Sequence, residues 1–386
     1  MLRVLTLSTL YPDAGRPTFG GFVERQTRAL AAREGVEVEV ASGIGLPPWP
    51  LSLHPHYRAS REAVSGAWNG LTVHRLPFRT LPRLPAGAGK ALARAMLPRL
   101  KRLRERFPFD VIDAEFFWPD GVAAMHLSRA LGLPFSIKAR GSDIHFWGGV
   151  PPVRSQMLEA AHEAGGLLAV SAALKESMEA LGMPGEKIAV HYTGIDLDRF
   201  QPSDRAAAKA ALGVEGPLLV TAGALIPLKG QALAVEAMHA LPGATLILVG
   251  DGPERARLEA LAKPLGPRVR VLGNQPHDAL PALLAAADAM VLPSEREGLA
   301  NVWVEALACG TPLVITDVGG AREVVDRPAA GRLVARDAGA IADGVRSLIA
   351  DPPAPEAVRK AAERFSWERN SAELQAHLAQ ISSERH

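Results

Sequence analysis

The chain repeats one arrangement: a short, nearly continuous apolar run, a turn rich in glycine or proline, then apolar residues at helical spacing. "LRVLTLSTL" reads as a strand buried on both faces, because a half-exposed strand would alternate apolar with polar side chains. A Gly/Pro loop over residues 12–21 follows, and the spacing predicts a helix from Phe22 to about Arg33. The order returns as "PLLVTAGAL", the loop "IPLKG", a predicted helix over Gln231 to Leu241, and a further strand in "ATLILVGDG". In the first half "FDVIDAEF", "PFSIKARG" and "GGLLAVSAAL" supply more strand-to-loop transitions. "RVRVLGNQ", "AMVLPSERE" and "TPLVITDVGG" do so in the second. This alternation predicts an α/β chain with two Rossmann-like halves, whose ligands bind beyond the carboxyl ends of the strands, where the glycines lie. The cleft between the halves is the expected site.

Between the halves, "IAVHYTGIDLDRFQPSD" carries Gly194, Pro202 and turn-forming acids, which places a linker near residue 200. The expected domains are 1–200 and 201–366. A final amphipathic helix, about 367–386, is expected to pack back on the first. A length of 386 residues exceeds one ordinary core and agrees with two.

One stretch carries chemistry on its own. In "SEREGLANVWVEALACG", Asn301 reads as an N-cap and Val302 to Cys309 as an apolar helix interrupted only by Glu305. Glu297 sits in the preceding loop beside Gly298. Free N–H groups at the helix start would then open between two carboxylates. A phosphate suits the N–H groups and hydroxyls suit the acids, a combination that a nucleotide sugar presents. A loop acid followed by a half-buried, salt-bridged Glu305 is the competing reading.

Composition adds constraints. The single cysteine, Cys309, excludes an internal disulfide and fits a reducing compartment, so a cytoplasmic location is expected. No stretch of 18 apolar residues is present and "MLRVLTLSTLYP" lacks a cleavage site, so no spanning or export segment is expected. Net charge is only +2, yet residues 75–106 hold ten basic residues (Arg75, Arg79, Arg83, Lys90, Arg94, Arg99, Lys101, Arg102, Arg104 and Arg106) against one acid, Glu105. There Leu92, Met96, Leu100 and Leu103 fall near helical spacing, so residues 90–106 can lie on anionic lipid at the inner face of the cytoplasmic membrane. A solvated helix face is the alternative. Nucleic acid is not expected, since no aromatic residues interleave the charges. Asp196-Leu197-Asp198 matches a metal-binding Asp-x-Asp signature but reads better as a hydrogen-bonded turn, and no His/Cys cluster has metal-ligand spacing. His54 and His56, flanked by prolines, read as loop residues.

Taken together, "EREGLANVWVEALACGTPLV", "GALIPLKG", "LVGDGPER", "AAADAMVLPS" and "VGGAREVV", with "TFGGFVERQTRAL", "RGSDI", "AVSAALKESM" and "TGIDLDRF", resemble glycosyltransferase family 4 along the whole chain. Those enzymes are retaining, use nucleotide sugars and have the GT-B fold, two Rossmann-like domains facing each other across a cleft. The first-half phrases also resemble a subgroup acting in bacterial cell-surface polysaccharide synthesis. The resemblance implies an acceptor-binding first domain and a donor-binding second, with a glycan or lipid-linked acceptor and no metal or other cofactor. It implies that Lys229 neutralises the leaving diphosphate, that Glu297 holds the transferred sugar and that Glu305 binds the ribose. Gly298, Leu299, Ala300, Asn301 and Val302 would meet the diphosphate. Gly20, Gly21, Gly223, Gly273 and Asn274 join the donor-binding set, with the base read around Gly273 to Gln275. Arg140, Asp143 and His145 are candidates for acceptor or phosphate. Two departures stand out: Ala224 occupies the position of an expected arginine, five before Lys229, and Arg140 replaces a histidine before Gly141. Arg322 or Arg140 could supply the missing cation. A GT-B nucleotide-sugar epimerase and a binding protein with little turnover are the competing functions.

Overall fold

The computed structural model describes residues 1–17, 19–81 and 85–383; Arg83 and the side chain of His56 lie outside that set. The chain divides into two units, Met1–Gly194 together with Trp367–His386, and Ile195–Ser366.

The first unit holds β1 (Leu2–Ser8), β2 (Val36–Leu46), β3 (Gly66–Trp68), β4 (Leu71–Arg79), β5 (Val111–Ala114), β6 (Phe135–Ala139), β7 (Gly166–Ala169) and β8 (Ile188–Val190). They form one sheet in the order β3-β4-β2-β1-β5-β6-β7-β8, parallel except where β3 runs antiparallel to β4. The strand order reverses at β1 and β5. The second unit holds β9 (Leu218–Ala222), β10 (Thr245–Val249), β11 (Val269–Gly273), β12 (Ala289–Leu292), β13 (Leu313–Thr316) and β14 (Gly331–Val334). Its sheet is all parallel, ordered β11-β10-β9-β12-β13-β14, and reverses at β9 and β12. Each sheet is therefore a doubly wound α/β sheet whose switch point marks the expected ligand end.

Helix limits differ from the sequence reading in ways local chemistry explains. The first helix spans Gly21–Ala31. The helix from Gln231 ends at Ala237 and tightens into a 3₁₀ turn, Met238–Ala240, because Leu241 precedes Pro242 and is pushed out of the α region.

The basic helix is Ala88–Arg106, and its apolar stripe faces inward. Leu92, Met96 and Leu100 are fully buried and Leu103 nearly so, all within the core of the first unit. That corrects the expectation that this stripe lies on lipid: the side chains that would insert are already packed against protein. Lys90, Arg94, Arg99, Lys101 and Arg102 remain exposed on the other face. Among the described residues, no helix is long and apolar enough to cross a membrane.

The closing helix, Trp367–Ser383, belongs to the first unit. Leu374, Leu378 and Ile381 pack with Val4, Leu30 and Val111. Asn370 donates from Nδ2 to the Tyr192 carbonyl at 2.6 Å.

Candidate functional site

In the second unit the two switch-point strands end in the loops that carry the candidate residues. After β9 the chain turns through Gly223 and Ala224 into a 3₁₀ turn, Pro227–Lys229. After β12 it runs through Pro293 and Ser294 to Glu297. Several bonds fix the two loops against each other. The Glu295 N–H donates to the Leu228 carbonyl at 2.8 Å, and Arg336 donates to the Pro293 and Pro227 carbonyls at 3.1 and 3.2 Å. Gly230 follows Lys229 at φ +70°, where a Cβ would come within 2.3 Å of the Pro293 carbonyl oxygen, so only glycine permits this approach.

The result brings together two residues 68 positions apart: the Lys229 ammonium donates to Glu297 Oε1. Ser294 Oγ donates to the same oxygen at 2.7 Å, and Thr316 donates to the Ser294 carbonyl. Both charged side chains stay partly accessible, 20% for Lys229 and 11% for Glu297, so the pair is ordered but reachable. Past Glu297, the Gly320 N–H donates to the Gly298 carbonyl at 2.7 Å and holds the turn.

The helix beyond is Asn301–Ala308, capped at Ala300 without a side-chain bond. Asn301 is thus the first helical residue and not the N-cap, and the cap residue Ala300 places no side chain on the first-turn N–H groups that the expected anion cradle needs. Glu305 lies inside this helix and is buried, 6% exposed. Burial pushes the Cys309 thiol one turn further on up to about 12, with the Glu305 charge adding to it, so the thiol is inert near neutrality.

Gly223 and Gly273 lie at the carboxyl ends of β9 and β11, tied through β10 by Gly223 N–H to Val249 O and Gly250 N–H to Gly273 O at 3.0 and 2.9 Å. Asn274 is exposed beside them. Ala224 offers its carbonyl to Gln231 Nε2 at 2.9 Å. Arg322 is exposed and paired with Asp317, with nitrogen–oxygen distances from 2.5 to 3.0 Å. Asp196 Oδ1 accepts from the N–H groups of Asp198 and Arg199 at 3.2 and 3.0 Å, which makes Asp-Leu-Asp a turn.

In the first unit the carboxyl ends of the central strands enclose a buried polar cluster. Gly20, at φ +67°, begins the first helix where a Cβ would stand 2.2 Å from the Leu10 carbonyl oxygen, so its role is to let the loop close on its own backbone. Gly21, by contrast, faces open space. From that helix Gln26 reaches the cluster and donates to Glu115, which also accepts from Arg140. Arg140 is therefore an internal partner of Glu115, with its side chain 6% exposed, and does not present its charge to solvent. Lys138 donates to Gln26 Oε1 and His191 Nδ1 at 2.7 and 2.8 Å. His191 Nε2 in turn reaches the Asn370 carbonyl of the closing helix at 2.8 Å. Burial holds the Lys138 ammonium well below the usual lysine range, and the Arg140 charge adds to that.

Asp143 is fully buried and accepts from the N–H groups of Phe117, Arg140, Gly141 and Ile144 at 2.8–3.1 Å, so it ties loops together. His145 is exposed. Glu115, Asp120, Asp113 and Lys138 were not singled out from the sequence. Their signal was available, since each is an ionisable residue within or just after an apolar run, as in "FDVIDAEF", "FFWPDG" and "PFSIKARG".

Asp120 yields a pH prediction. Burial raises its carboxyl to about 7 from the ordinary 3.8, against hydrogen bonding from Thr9, whose N–H donates at 2.9 Å and whose side chain adds to it. Between those values the folded state holds a proton that the unfolded chain has released. Stability contributed below 3.8 is therefore lost as pH rises through about 7, at up to ~1.4 kcal/mol per pH unit. Asp120→Asn is expected to flatten that slope. Urea unfolding midpoints for both proteins at several pH values between 4.5 and 7.5 test it; parallel curves would rule out Asp120 as the titrating group.

Residues 203–365 match the family described as glycosyl transferases group 1, and residues 21–199 match Glycosyltransferase Family 4. The D-inositol 3-phosphate glycosyltransferase of Mycobacterium tuberculosis is 30% identical over 410 residues, covering 97% of this chain and 82% of the relative. Among solved structures, sucrose-phosphate synthase from Thermosynechococcus elongatus matches with a TM-score of 0.80 at 21% identity over the whole of both chains. HepE from Anabaena, solved in complex with UDP, matches at 0.75 and 21% identity over 98% of this chain and 100% of that one. At these identities the structural likeness establishes the fold. With both halves matched and a relative aligned along nearly the whole length, the chain belongs to glycosyltransferase family 4 and is a glycosyltransferase of the GT-B fold.

Proposed function

We propose that the protein moves a sugar from a nucleoside-diphosphate sugar to a hydroxyl of a glycan or lipid-linked acceptor, with retention at the anomeric carbon, in the synthesis of a bacterial surface polysaccharide or glycolipid. The observation that carries this reading is the Lys229–Glu297 pair at the carboxyl ends of β9 and β12. The pairing gives an ammonium for a departing diphosphate and a carboxylate for sugar hydroxyls within one hydrogen bond of each other. Support comes from the solved HepE complexes, one with UDP and one with UDP-glucose.

In this reading the second unit holds the donor and the first the acceptor. The uncapped N–H groups around Leu299 to Val302 receive the diphosphate, Glu305 the ribose hydroxyls, and the loop after β11 the base. As the glycosidic bond breaks, negative charge grows on the diphosphate oxygen, and Lys229 lies ready to stabilise it without reorganisation. Transfer on one face of the sugar lets the leaving diphosphate take the acceptor proton, so no enzyme nucleophile is required. Lys229 supplies locally the charge that a divalent ion would otherwise bring, and the reaction runs without a resident metal. A cytoplasmic site fits the lone buried thiol.

A thermal-shift screen over UDP-, GDP- and ADP-sugars tests the donor class, because a ligand that binds the folded state alone raises the melting temperature. Failure of every nucleotide sugar to shift the protein would reject the reading. Glu305→Ala is expected to weaken nucleotide binding by about ten- to a hundredfold, one lost charged hydrogen-bond pair being worth ~1.5–3 kcal/mol. Unaltered affinity by calorimetry would remove Glu305 from the ribose site.

A further inference from the structure

The first unit contains a concavity whose lining includes none of the residues assigned above to the donor. A cavity of about 580 Å³ opens there, within the range of small-molecule sites. Its walls are Ile44 of β2, Phe78 of β4, Trp118 and Trp147, and at its mouth Leu81 and Phe146 remain 52% and 63% exposed. The two tryptophan rings lie 6.3 Å apart and Phe146 meets Trp147 edge-on at 4.9 Å, so the aromatic wall is one packed surface.

The polar lining is poor in the groups that grip sugars. Among the described lining residues there is no carboxylate, carboxamide or imidazole, and the single charge, Arg16, is taken up by Asp13 at 2.6 Å. Hydroxyls of Thr9, Tyr57, Ser60 and Thr80 are the other side-chain oxygens of the lining. A hydrocarbon chain gains from such walls, whereas a glycan would leave its hydroxyls unpaired.

Phe78 is shared with a second groove of about 580 Å³, and there the chemistry changes. This groove is lined by Arg79, the next residue of β4, by Arg94 of the basic helix and by Trp49. Arg79 and Arg94 are exposed and form no ion pair among the described residues, and no acid lines the groove. Trp49, Leu51 and Leu53 stand 78%, 58% and 57% exposed on the adjoining loop. An apolar cavity thus continues, across one phenylalanine, into an unneutralised cationic groove.

We propose that the first unit binds a lipid phosphate, with its hydrocarbon chain in the aromatic cavity and its phosphate on Arg79 and Arg94, and that this amphiphile carries the acceptor hydroxyl. The assignment rests on the transferase reading above and narrows its acceptor to the lipid-linked class. It also separates two roles that the sequence merged: Arg94 of the basic helix contacts the head group, while the chain is held by β2, β4 and the two tryptophans.

The experiment titrates the full-length protein by calorimetry with farnesyl phosphate, farnesol and inorganic phosphate, each below its aggregation concentration. Farnesyl phosphate is expected to saturate, farnesol to bind more weakly and inorganic phosphate not to bind. Ser60→Trp, which puts bulk in the cavity from the short helix Arg58–Glu62, is expected to weaken farnesyl phosphate and farnesol alike by about tenfold or more. Arg79→Glu with Arg94→Glu is expected to weaken farnesyl phosphate by at least about tenfold and to leave farnesol within about threefold. Absence of farnesyl phosphate binding, equal binding by the Ser60→Trp protein, or inorganic phosphate binding as tightly as farnesyl phosphate would each overturn the proposal. The nucleotide-sugar thermal shift, run on the same samples, checks that the variants fold. It also distinguishes the two failures: a protein that answers to a nucleotide sugar but not to farnesyl phosphate keeps its donor site and loses only this acceptor.

Discussion

Lys229→Ala is expected to lower kcat by about 10²–10³ while leaving nucleotide affinity within a few fold. The magnitude is that of removing one preorganised group aimed at developing charge, ~3–4 kcal/mol of transition-state stabilisation. In the reading proposed above, the loss should fall on kcat because the ground-state diphosphate is also met by backbone N–H groups at the helix start, whereas the extra charge appears only as the bond breaks. Lys229 and Glu297 are both partly accessible, so the fold does not depend on the pair, and the thermal midpoint should move by no more than a few degrees. Lys229→Arg keeps the charge but presents a planar fork on a loop pinned by Gly230, and should recover only part of the rate. Initial rates over a range of donor concentrations give kcat and KM separately; wild-type kcat in the alanine protein would show that the ammonium takes no part in the chemical step.

The largest effect on stability is expected at Glu115. It is fully buried and accepts from Arg140 and Gln26, with the Lys138 ammonium in the same cluster. Glu115→Ala removes the acceptor and leaves buried cations without it, a change that costs ~3–5 kcal/mol in comparable pairs. Asp113 moderates this. Burial first, and then the Glu115 charge, raise the Asp113 carboxyl well above its ordinary range, so loss of Glu115 removes the second cause and eases ionisation of Asp113 toward the cations. The lower end, ~3 kcal/mol, is therefore the expectation, a large part of the ~5–15 kcal/mol that a folded protein commands. Urea unfolding of Glu115→Ala, Asp113→Asn and the double variant reads this directly. The double variant should lose more than the two single losses added together, and strict additivity would show that Asp113 does not compensate.

What the sequence disclosed and what it hid divide along physical lines. Continuous apolar runs such as "PLLVTAGAL" became β9 because strands buried on both faces carry their signature locally. The longest strand, β2, was missed. Its "VEVEV" opening alternates apolar with acid, and Glu39 can be buried there only because His74 and Arg106, 35 and 67 positions away, reach it at 2.5 and 2.9 Å. The basic helix shows the complementary failure. Leu92, Met96, Leu100 and Leu103 have the same spacing whether they meet lipid or protein, and only the tertiary partner decides. At the candidate site, the two acids flanking a helix start were legible from the stretch that holds them. The bond from Lys229 to Glu297 was not, since it depends on the neighbouring placement of β9 and β12, strands distant in sequence. Resemblance named the lysine; geometry supplied its partner.

The closing helix has a topological consequence. Because Trp367–Ser383 returns to the first unit, residues 195–366 are an insertion within it, and that insertion begins and ends at one place: the Ile195 N–H donates to the Phe365 carbonyl at 2.7 Å, and Ile195 bridges Ser366. An inserted segment whose two ends already touch asks little loop-closure entropy of its host. Exchange of this cassette between relatives therefore needs only two cuts, on either side of a single backbone hydrogen bond.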